Sequence, residues 1–80
     1  MRATVLVRPK EGILDPQGEA VEGSLRKLGF PVAETRVGKV IDLDLETSNR
    51  DEARKQVEQM CERLLANPLI ESYEIDLHDT

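Results

Sequence analysis

The stretch that decides the fold is VAETRVGKVIDLDLET, residues 32–47. Its odd-numbered positions are small or apolar with one exception, Lys39, and most of its even-numbered positions are charged. A period of two is typical of a β-strand with one buried and one solvated face. Because the alternation passes through Gly38 without a change of phase, the pattern favours one long strand bent at this glycine over a hairpin that turns at Gly38-Lys39.

Shorter strands are predicted at both ends of the chain. Residues 3–8 are apolar and β-branched and stop at Pro9. In residues 69–77, Tyr73, Ile75 and Leu77 alternate with polar residues and are expected to face inward. The middle strand would span roughly 45 Å at about 3.3 Å per residue, and its overhang would leave backbone groups unpaired. Such an edge can accept a strand from a second subunit.

The first predicted helix begins at Asp15-Pro16, a capping carboxylate followed by proline at the first helical position, and ends before Gly29. Gly18 and Gly23 each cost about 1 kcal/mol relative to alanine inside a helix, and close packing of the helix on a sheet or helix explains them better than a ligand does. The apolar stripe of this helix comprises Ala20, Val21, Ser24, Leu25 and Leu28.

The second predicted helix begins at Ser48 or Asn49 and has acidic residues in its first turn. Asn67-Pro68 ends it. Its apolar stripe comprises Ala53, Val57, Met60, Cys61, Leu64 and Leu65.

The element order is therefore β-α-β-α-β, in a single domain over residues 1–80. This order predicts an α+β fold: a small antiparallel sheet with two helices on one face, related to ferredoxin-like folds, with a long bent middle strand. A split of the middle strand would add a fourth strand, and we favour three.

The amino-acid composition disfavours several classes of function. The 80 residues carry 11 Lys and Arg against 16 Asp and Glu, a net charge of −5, and one Phe, one Tyr and no Trp. These counts disfavour nucleic-acid binding, which needs a basic face or stacking rings. One cysteine excludes an internal disulfide and any multi-cysteine metal site, and one histidine excludes clustered imidazole ligands. The sequence has neither a signal sequence nor a long apolar run, so we expect a cytoplasmic protein. Because so short a chain buries a small share of its surface, we expect it to gain stability by oligomerisation.

Few side chains suit catalysis. Cys61 lies within an apolar stripe and is expected to be buried and inert. His78 lies in an acidic C-terminal tail, where we expect it to be solvated and frayed. Asp42, Asp44 and Glu46 could resemble a metal-binding ladder, but an outward strand face in an acidic protein explains them better. The sequence therefore predicts no catalytic, cofactor-binding or metal-binding residue.

The RVGK stretch, residues 36–39, places two cations beside a glycine. A bend in a strand with solvated flanks explains this pattern, and a site for a phosphate or a partner's carboxylate is the alternative. Both interpretations remain open at this stage. Together with the lack of catalytic groups, they indicate a binding or structural element.

Four segments in order carry a family resemblance: KEGILDPQG (residues 10–18), LGF (28–30), RVGK (36–39) and LLANPLIESY (64–73). They resemble the PurS subunit of phosphoribosylformylglycinamidine (FGAM) synthase over essentially the whole chain. The resemblance implies a role in the fourth step of de novo purine biosynthesis, the conversion of FGAR to FGAM with ATP and glutamine-derived ammonia. It implies a subunit that carries no catalytic residues and binds no cofactor, while the large subunit of the complex uses ATP and Mg²⁺.

The resemblance also implies partners: a glutaminase subunit, a large synthetase subunit, and further copies of the chain in a homodimer or homotetramer. The polar and glycine-rich segments are the expected contacts with the other subunits, because hydrophobic burial does not explain their composition. The candidate contact residues are Lys10, Asp15, Gln17, Arg36, Gly38, Lys39 and Asn67. The alternative function is a stand-alone dimeric module that binds a small regulatory metabolite.

Overall fold

The computed structural model describes residues 1–78 of the chain. Its three strands form one sheet of order β2-β1-β3, and β1 pairs antiparallel with both neighbours. The predicted α+β class is confirmed, with a three-stranded antiparallel sheet and two helices. The elements are β1 (Arg2–Pro9), α1 (Pro16–Lys27), β2 (Lys39–Asp44), α2 (Arg50–Met60), a π-helical turn (Cys61–Leu65) and β3 (Glu71–His78).

The middle strand is shorter than the sequence predicts, since β2 covers six residues and residues 32–38 lie outside the sheet. The ladder between β1 and β2 ends with Val7 opposite Lys39, and β1 itself ends at Pro9. Gly38 passes so close to the Val7 carbonyl that any Cβ would collide with it. The long bent strand was therefore wrong for this protomer: the ladder stops at Lys39, and β1 ends two residues beyond Val7, so most of residues 32–38 have no β1 backbone to pair with.

The core lies between α2 and the inner face of the sheet. Its three fully or nearly fully buried β1 residues alternate with exposed or half-buried ones, as a strand with one covered face requires. Of the residues predicted to face inward from β3, Leu77 is buried and Tyr73 and Ile75 are half-buried against the core. The buried core residues are Ala3, Val5, Val7, Ala53, Val57, Cys61, Ala66 and Leu77.

Helix α1 begins and ends where the sequence predicts. The Asp15 side chain caps it by accepting a hydrogen bond from the Gly18 amide, and Gly29 follows its end with a φ of 95°. Its apolar stripe, however, is not packed on the sheet: the exposed fraction is 41% for Val21 and 73% for Leu28. Close packing explains Gly18, which is buried, but not Gly23, where a Cβ would have no neighbour within 4 Å.

Helix α2, with 11 residues, follows the predicted pattern over its three turns. Asn49 caps it by accepting a hydrogen bond from the Glu52 amide at 3.0 Å. At its end the chain widens into the π-helical turn, in which the Ala66 amide donates to the Cys61 carbonyl. The extra residue in this turn rotates Leu64 out of the stripe, and 83% of it is exposed. Within residues 1–78, neither helix is long and apolar enough to cross a membrane.

Candidate interaction site at the end of the sheet

Three of the four segments that carry the family resemblance meet at one end of the sheet, where β1 ends and both β2 and β3 begin. The Lys10 amide donates to the Ile70 carbonyl at 2.9 Å, and the Lys10 ammonium donates to the Pro68 carbonyl at 2.6 Å. These bonds fix the loop after β1 to the turn before β3. Lys10 therefore has a structural partner within the chain.

Arg36 fastens the same loop from the other side. Its guanidinium donates hydrogen bonds to the carbonyls of Pro9 and Lys10 and lies 3.3 Å from the Glu11 carboxylate. The Arg36 side chain is only 27% exposed, whereas that of Glu11 is 94% exposed. The cation is thus partly withdrawn from solvent, and its planar group suits the simultaneous capture of two carbonyl oxygens.

Asp15 joins the start of α1 to the segment that precedes β2. One carboxylate oxygen accepts the Gly18 amide at 3.0 Å, and the other accepts the Val37 amide at 2.8 Å. The hydrogen bonds from Val37 and then Gly18 lower the pKa of Asp15, because they stabilise the charged form. The carboxylate is therefore a capping and tying group in this chain.

Asn67 organises the turn between the π-helical turn and β3. Its side-chain oxygen accepts the Leu69 amide, and its carbonyl accepts the amides of Ile70 and Glu71. Its own amide donates to the Glu71 carboxylate at 2.7 Å. This is the local side-chain-to-backbone bonding that makes asparagine common in turns.

The other predicted contact residues differ in exposure and in what the structure explains. Gly38 is required by its approach to β1, whereas Lys39 and Gln17 are exposed. The structure thus accounts for Lys10, Asp15, Arg36, Gly38 and Asn67 as supports of this end of the sheet. Whether any of the seven touches a partner stays a prediction.

Ile13 and Leu14 are the residues here that the sequence analysis did not single out. They lie in the loop that the bonds of Lys10, Arg36 and Asp15 hold in place, and 71% of Leu14 is exposed. Both border a depression of about 390 Å³ that is also lined by Glu19, Glu22 and Glu34. The available signal was a pair of apolar residues that belong to no helical or strand period, in a loop otherwise made of polar residues and glycine.

Three further titratable side chains belong to residues that take part in packing, hydrogen bonding or strand pairing: Cys61, Tyr73 and His78. Cys61 is a buried free thiol, as predicted, and burial raises its pKa. The Tyr73 hydroxyl donates to the Glu62 carboxylate at 2.8 Å, which raises the pKa of Tyr73 to about 12. His78 is exposed, but it was wrongly placed in a frayed tail: it pairs opposite Arg2 in the ladder of β3. The rest of that tail, residues 79 and 80, lies outside the described residues.

The carboxylates of β2 form an outward face, as predicted. Asp42 accepts the Thr4 hydroxyl at 2.9 Å, and Asp44 lies 3.4 Å from Arg2, while Glu46 is exposed beyond the strand. Over residues 1–78, no three side chains of the metal-binding types come close enough together to hold an ion.

Fold and site together define a small α+β protein whose motif residues brace one end of a three-stranded sheet. Residues 2–79 match the family model described as PurS: phosphoribosylformylglycinamidine (FGAM) synthase. A PurS subunit of this synthase from Archaeoglobus fulgidus is 46% identical over 76 residues, which cover 94% of this chain and 95% of the relative.

Solved structures agree. That of Methanocaldococcus jannaschii PurS, described as a subunit of formylglycinamide ribonucleotide amidotransferase in the purine biosynthetic pathway, superposes with a TM-score of 0.86 at 40% identity, covering 99% of this chain and 96% of that one. A chain in the structure of PurLQS from Thermotoga maritima superposes with a TM-score of 0.84 at 38% identity, covering 94% and 93%. The chain therefore belongs to the PurS family of FGAM synthase subunits, proteins of purine biosynthesis.

Proposed function

We propose that this chain is the non-catalytic small subunit that bridges the glutaminase and the large synthetase subunits of FGAM synthase. The complex converts FGAR to FGAM with ATP and glutamine-derived ammonia, in the cytoplasm. ATP and Mg²⁺ are used by the large subunit, and this chain binds no cofactor of its own. Support comes from the family and from the Thermotoga maritima PurLQS structure, which holds a chain similar to this one.

The observation that carries the proposal is the braced loop with the uncovered apolar tip, Ile13 and Leu14. Lys10 and Arg36 hold one end of the loop, and Asp15 holds the other. A surface that is ordered before binding loses little conformational entropy when a partner covers it. The exposed tip beside three glutamates suits an apolar pocket with a basic rim on a neighbouring subunit.

The same protomer is proposed to work as a homodimer or homotetramer. Its radius of gyration is 15.8 Å, whereas a compact chain of this length has about 11.6 Å. Its accessible surface is 5883 Å², against about 4,850 Å² for a compact monomer of 9.0 kDa. The excess is similar to the roughly 800 Å² that each partner buries in a stable interface.

Reconstitution with the glutaminase and synthetase subunits of the same source tests the bridge. Without this chain, or with Leu14→Asp, we expect glutamine-dependent turnover to fall at least about tenfold, the effect of losing an interface anchor. Turnover supplied with ammonium salt should change less than about twofold, because the synthetase chemistry does not involve this chain.

Gln59→Glu is the matched control, since it adds the same charge at an exposed position of α2, away from the loop tip, and should leave both rates unchanged. Full glutamine-dependent turnover in the absence of this chain would show that it is no bridge. Full turnover with Leu14→Asp would instead remove the loop tip from the interface.

A further inference from the structure

The face of the sheet that is turned away from α2 has two halves of different chemistry. Near the end of β2 its side chains are polar and pair across the strands, as Thr4 does when it donates to Asp42 at 2.9 Å. Near the start of β2, Leu6 and Val40 lie directly opposite each other, and 62% of Val40 is exposed. The start of β2 therefore exposes an apolar pair on an otherwise polar face.

Basic side chains surround this apolar pair. Leu6 and Val40 line a depression of about 360 Å³ that is also bordered by Arg8, Arg36 and Lys39, and these five residues are called here the outer patch. None of the residues that line the depression is acidic, although the whole chain carries 16 acidic residues against 11 basic ones. Exposed apolar patches with a polar border are typical of protein interaction sites. The positive border of this one suits a partner that carries negative charge.

The three cations of the outer patch differ in the contacts that they already make. Arg36 is bound to backbone carbonyls of the loop after β1. The Arg8 guanidinium lies 3.3 Å from the Glu74 carboxylate, but both side chains are more than half exposed, and such pairs contribute little free energy. Lys39 is exposed and forms no ion pair within the part of the chain that the structure describes. Lys39 is therefore the cation that can bind a new carboxylate without losing an existing contact.

The outer patch and the loop tip, Ile13 and Leu14, are neighbours with opposite charge. Arg36 lines both the depression of the outer patch and the depression beside the loop tip. Three glutamates border the loop tip, whereas three basic residues border the outer patch. A partner surface of one charge cannot complement both, because like charges placed against each other lower the affinity. A bridge needs two contact surfaces, and this end of the sheet carries two that select partners of different chemistry.

We propose that the outer patch binds an acidic segment of one partner subunit of the complex, while the loop tip binds the other partner subunit. An apolar side chain of the acidic segment covers Leu6 and Val40, and a carboxylate next to it pairs with Lys39. The inference rests on the proposed bridging function and adds to it the second contact surface and the chemistry of its partner. Burial of the apolar pair supplies affinity, and the charges orient the segment and speed its association.

Titration of glutamine-dependent turnover with this chain, at fixed glutaminase and synthetase concentrations, measures its apparent affinity for the complex. Lys39→Glu and Val40→Asp should each raise the concentration that gives half-maximal turnover at least about tenfold, because both place a negative charge against the acidic segment. Lys39→Arg should keep the wild-type value. Arg54→Glu is the matched control, since it makes the same change of charge at an exposed position of α2, on the other side of the sheet. All variants should keep the wild-type circular dichroism and light-scattering mass.

Cross-linking identifies the partner at each surface. A benzophenone maleimide is attached to Val40→Cys in one preparation and to Leu14→Cys in another, and each is irradiated in the reconstituted complex. Cys61, the one native cysteine, is buried and should not react with the maleimide. We expect position 40 to cross-link to a segment rich in Asp or Glu in one partner subunit, and position 14 to cross-link to the other subunit.

The outcomes distinguish the bridge from the outer patch. Full glutamine-dependent turnover without this chain would contradict the bridging function and, with it, this inference. If the chain is required but Lys39→Glu and Val40→Asp keep the wild-type half-maximal concentration, the outer patch alone is overturned. Cross-linking of both positions to the same subunit, or of position 40 to a second copy of this chain, would also overturn it. So would binding of glutamate or inorganic phosphate to the isolated chain that Lys39→Glu abolishes, because the patch would then hold a small anion.

Discussion

The two glycines of α1, Gly18 and Gly23, differ in the space that surrounds their Cα atoms. At Gly18 a Cβ would collide with the Thr35 carbonyl and the Asp15 carboxylate, whereas at Gly23 it would meet open space. Alanine favours a helix over glycine by about 1 kcal/mol. The sign of one substitution should therefore reverse within five positions of the same helix.

We expect Gly23→Ala to stabilise the protein by up to about 1 kcal/mol and Gly18→Ala to destabilise it by roughly 2 kcal/mol or more. The measurement is urea unfolding at fixed protein concentration, with each variant compared with wild type. Equal effects of the two substitutions would show that Thr35 and Asp15 move aside without cost.

Tyr73 offers a second residue-scale prediction, because it is the only tyrosine and the chain has no tryptophan. Its hydroxyl donates to Glu62, and its pKa is raised to about 12 from an ordinary value of about 10. The bond favours the protonated form, so its contribution to stability is complete below pH 10 and is lost as the pH rises toward 12.

Absorbance at the phenolate band, recorded from pH 8 to 13, should give a titration midpoint near 12 for the wild type. In Glu62→Gln the midpoint should fall toward 10, since a neutral amide stabilises the phenol less than a carboxylate does. Tyr73→Phe supplies the baseline. A wild-type midpoint of about 10 would contradict the hydrogen bond.

At the scale of elements, the Asp15 carboxylate ties α1 to the segment before β2. Its folded pKa is lowered by the amides of Val37 and Gly18, so its contribution is present at neutral pH and is lost as the pH falls below the ordinary aspartate range near 3.9. Asp15→Asn keeps one acceptor oxygen but removes the charge and one of the two bonds.

We expect Asp15→Asn to lower the free energy of unfolding at pH 7, as the loss of a helix cap does. The difference from wild type should shrink as the pH is lowered from 5 to 2, because the wild-type carboxyl becomes protonated. Gln17→Ala, at an exposed and uncharged position in the same helical turn, is the control whose effect should not vary with pH. A constant difference for Asp15→Asn would mean that the charge is not what the two amides stabilise.

Helices and strands could be predicted where the residues that define their ends and faces are close together in the sequence. The caps at Asp15 and Asn49, the stop after α2 and the inward face of β3 all follow from residues within a turn of each other. The extent of β2 could not be predicted from its own residues. A strand ends where its neighbour no longer offers hydrogen bonds, and the length of β1 is determined elsewhere in the chain. The exposure of Leu64 also escaped prediction, since a π-helical turn has no simple sequence period.

At the scale of the whole molecule, periodicity predicts which face of an element is apolar but not what covers it. The stripe of α1 is correctly located in the sequence, yet in one protomer it faces solvent. The candidate site shows the same limit: the motif residues were identified, but Lys10, Asp15 and Arg36 turn out to brace the loop. Ile13 and Leu14, at its uncovered tip, gave only a weak signal because a loop has no period.

The five-residue turn that follows α2 has a consequence for how this chain tolerates change. Almost any side chain can stand at position 64, because it points to the outside. Deleting one residue from Cys61–Leu65 would return this turn to the ordinary helical winding, because the Ala66 amide could then bond to the Cys61 carbonyl four residues back instead of five. Ala66, 6% exposed, would keep its place in the core. The length of this turn can therefore change by one residue more readily than the buried Cys61 can be replaced.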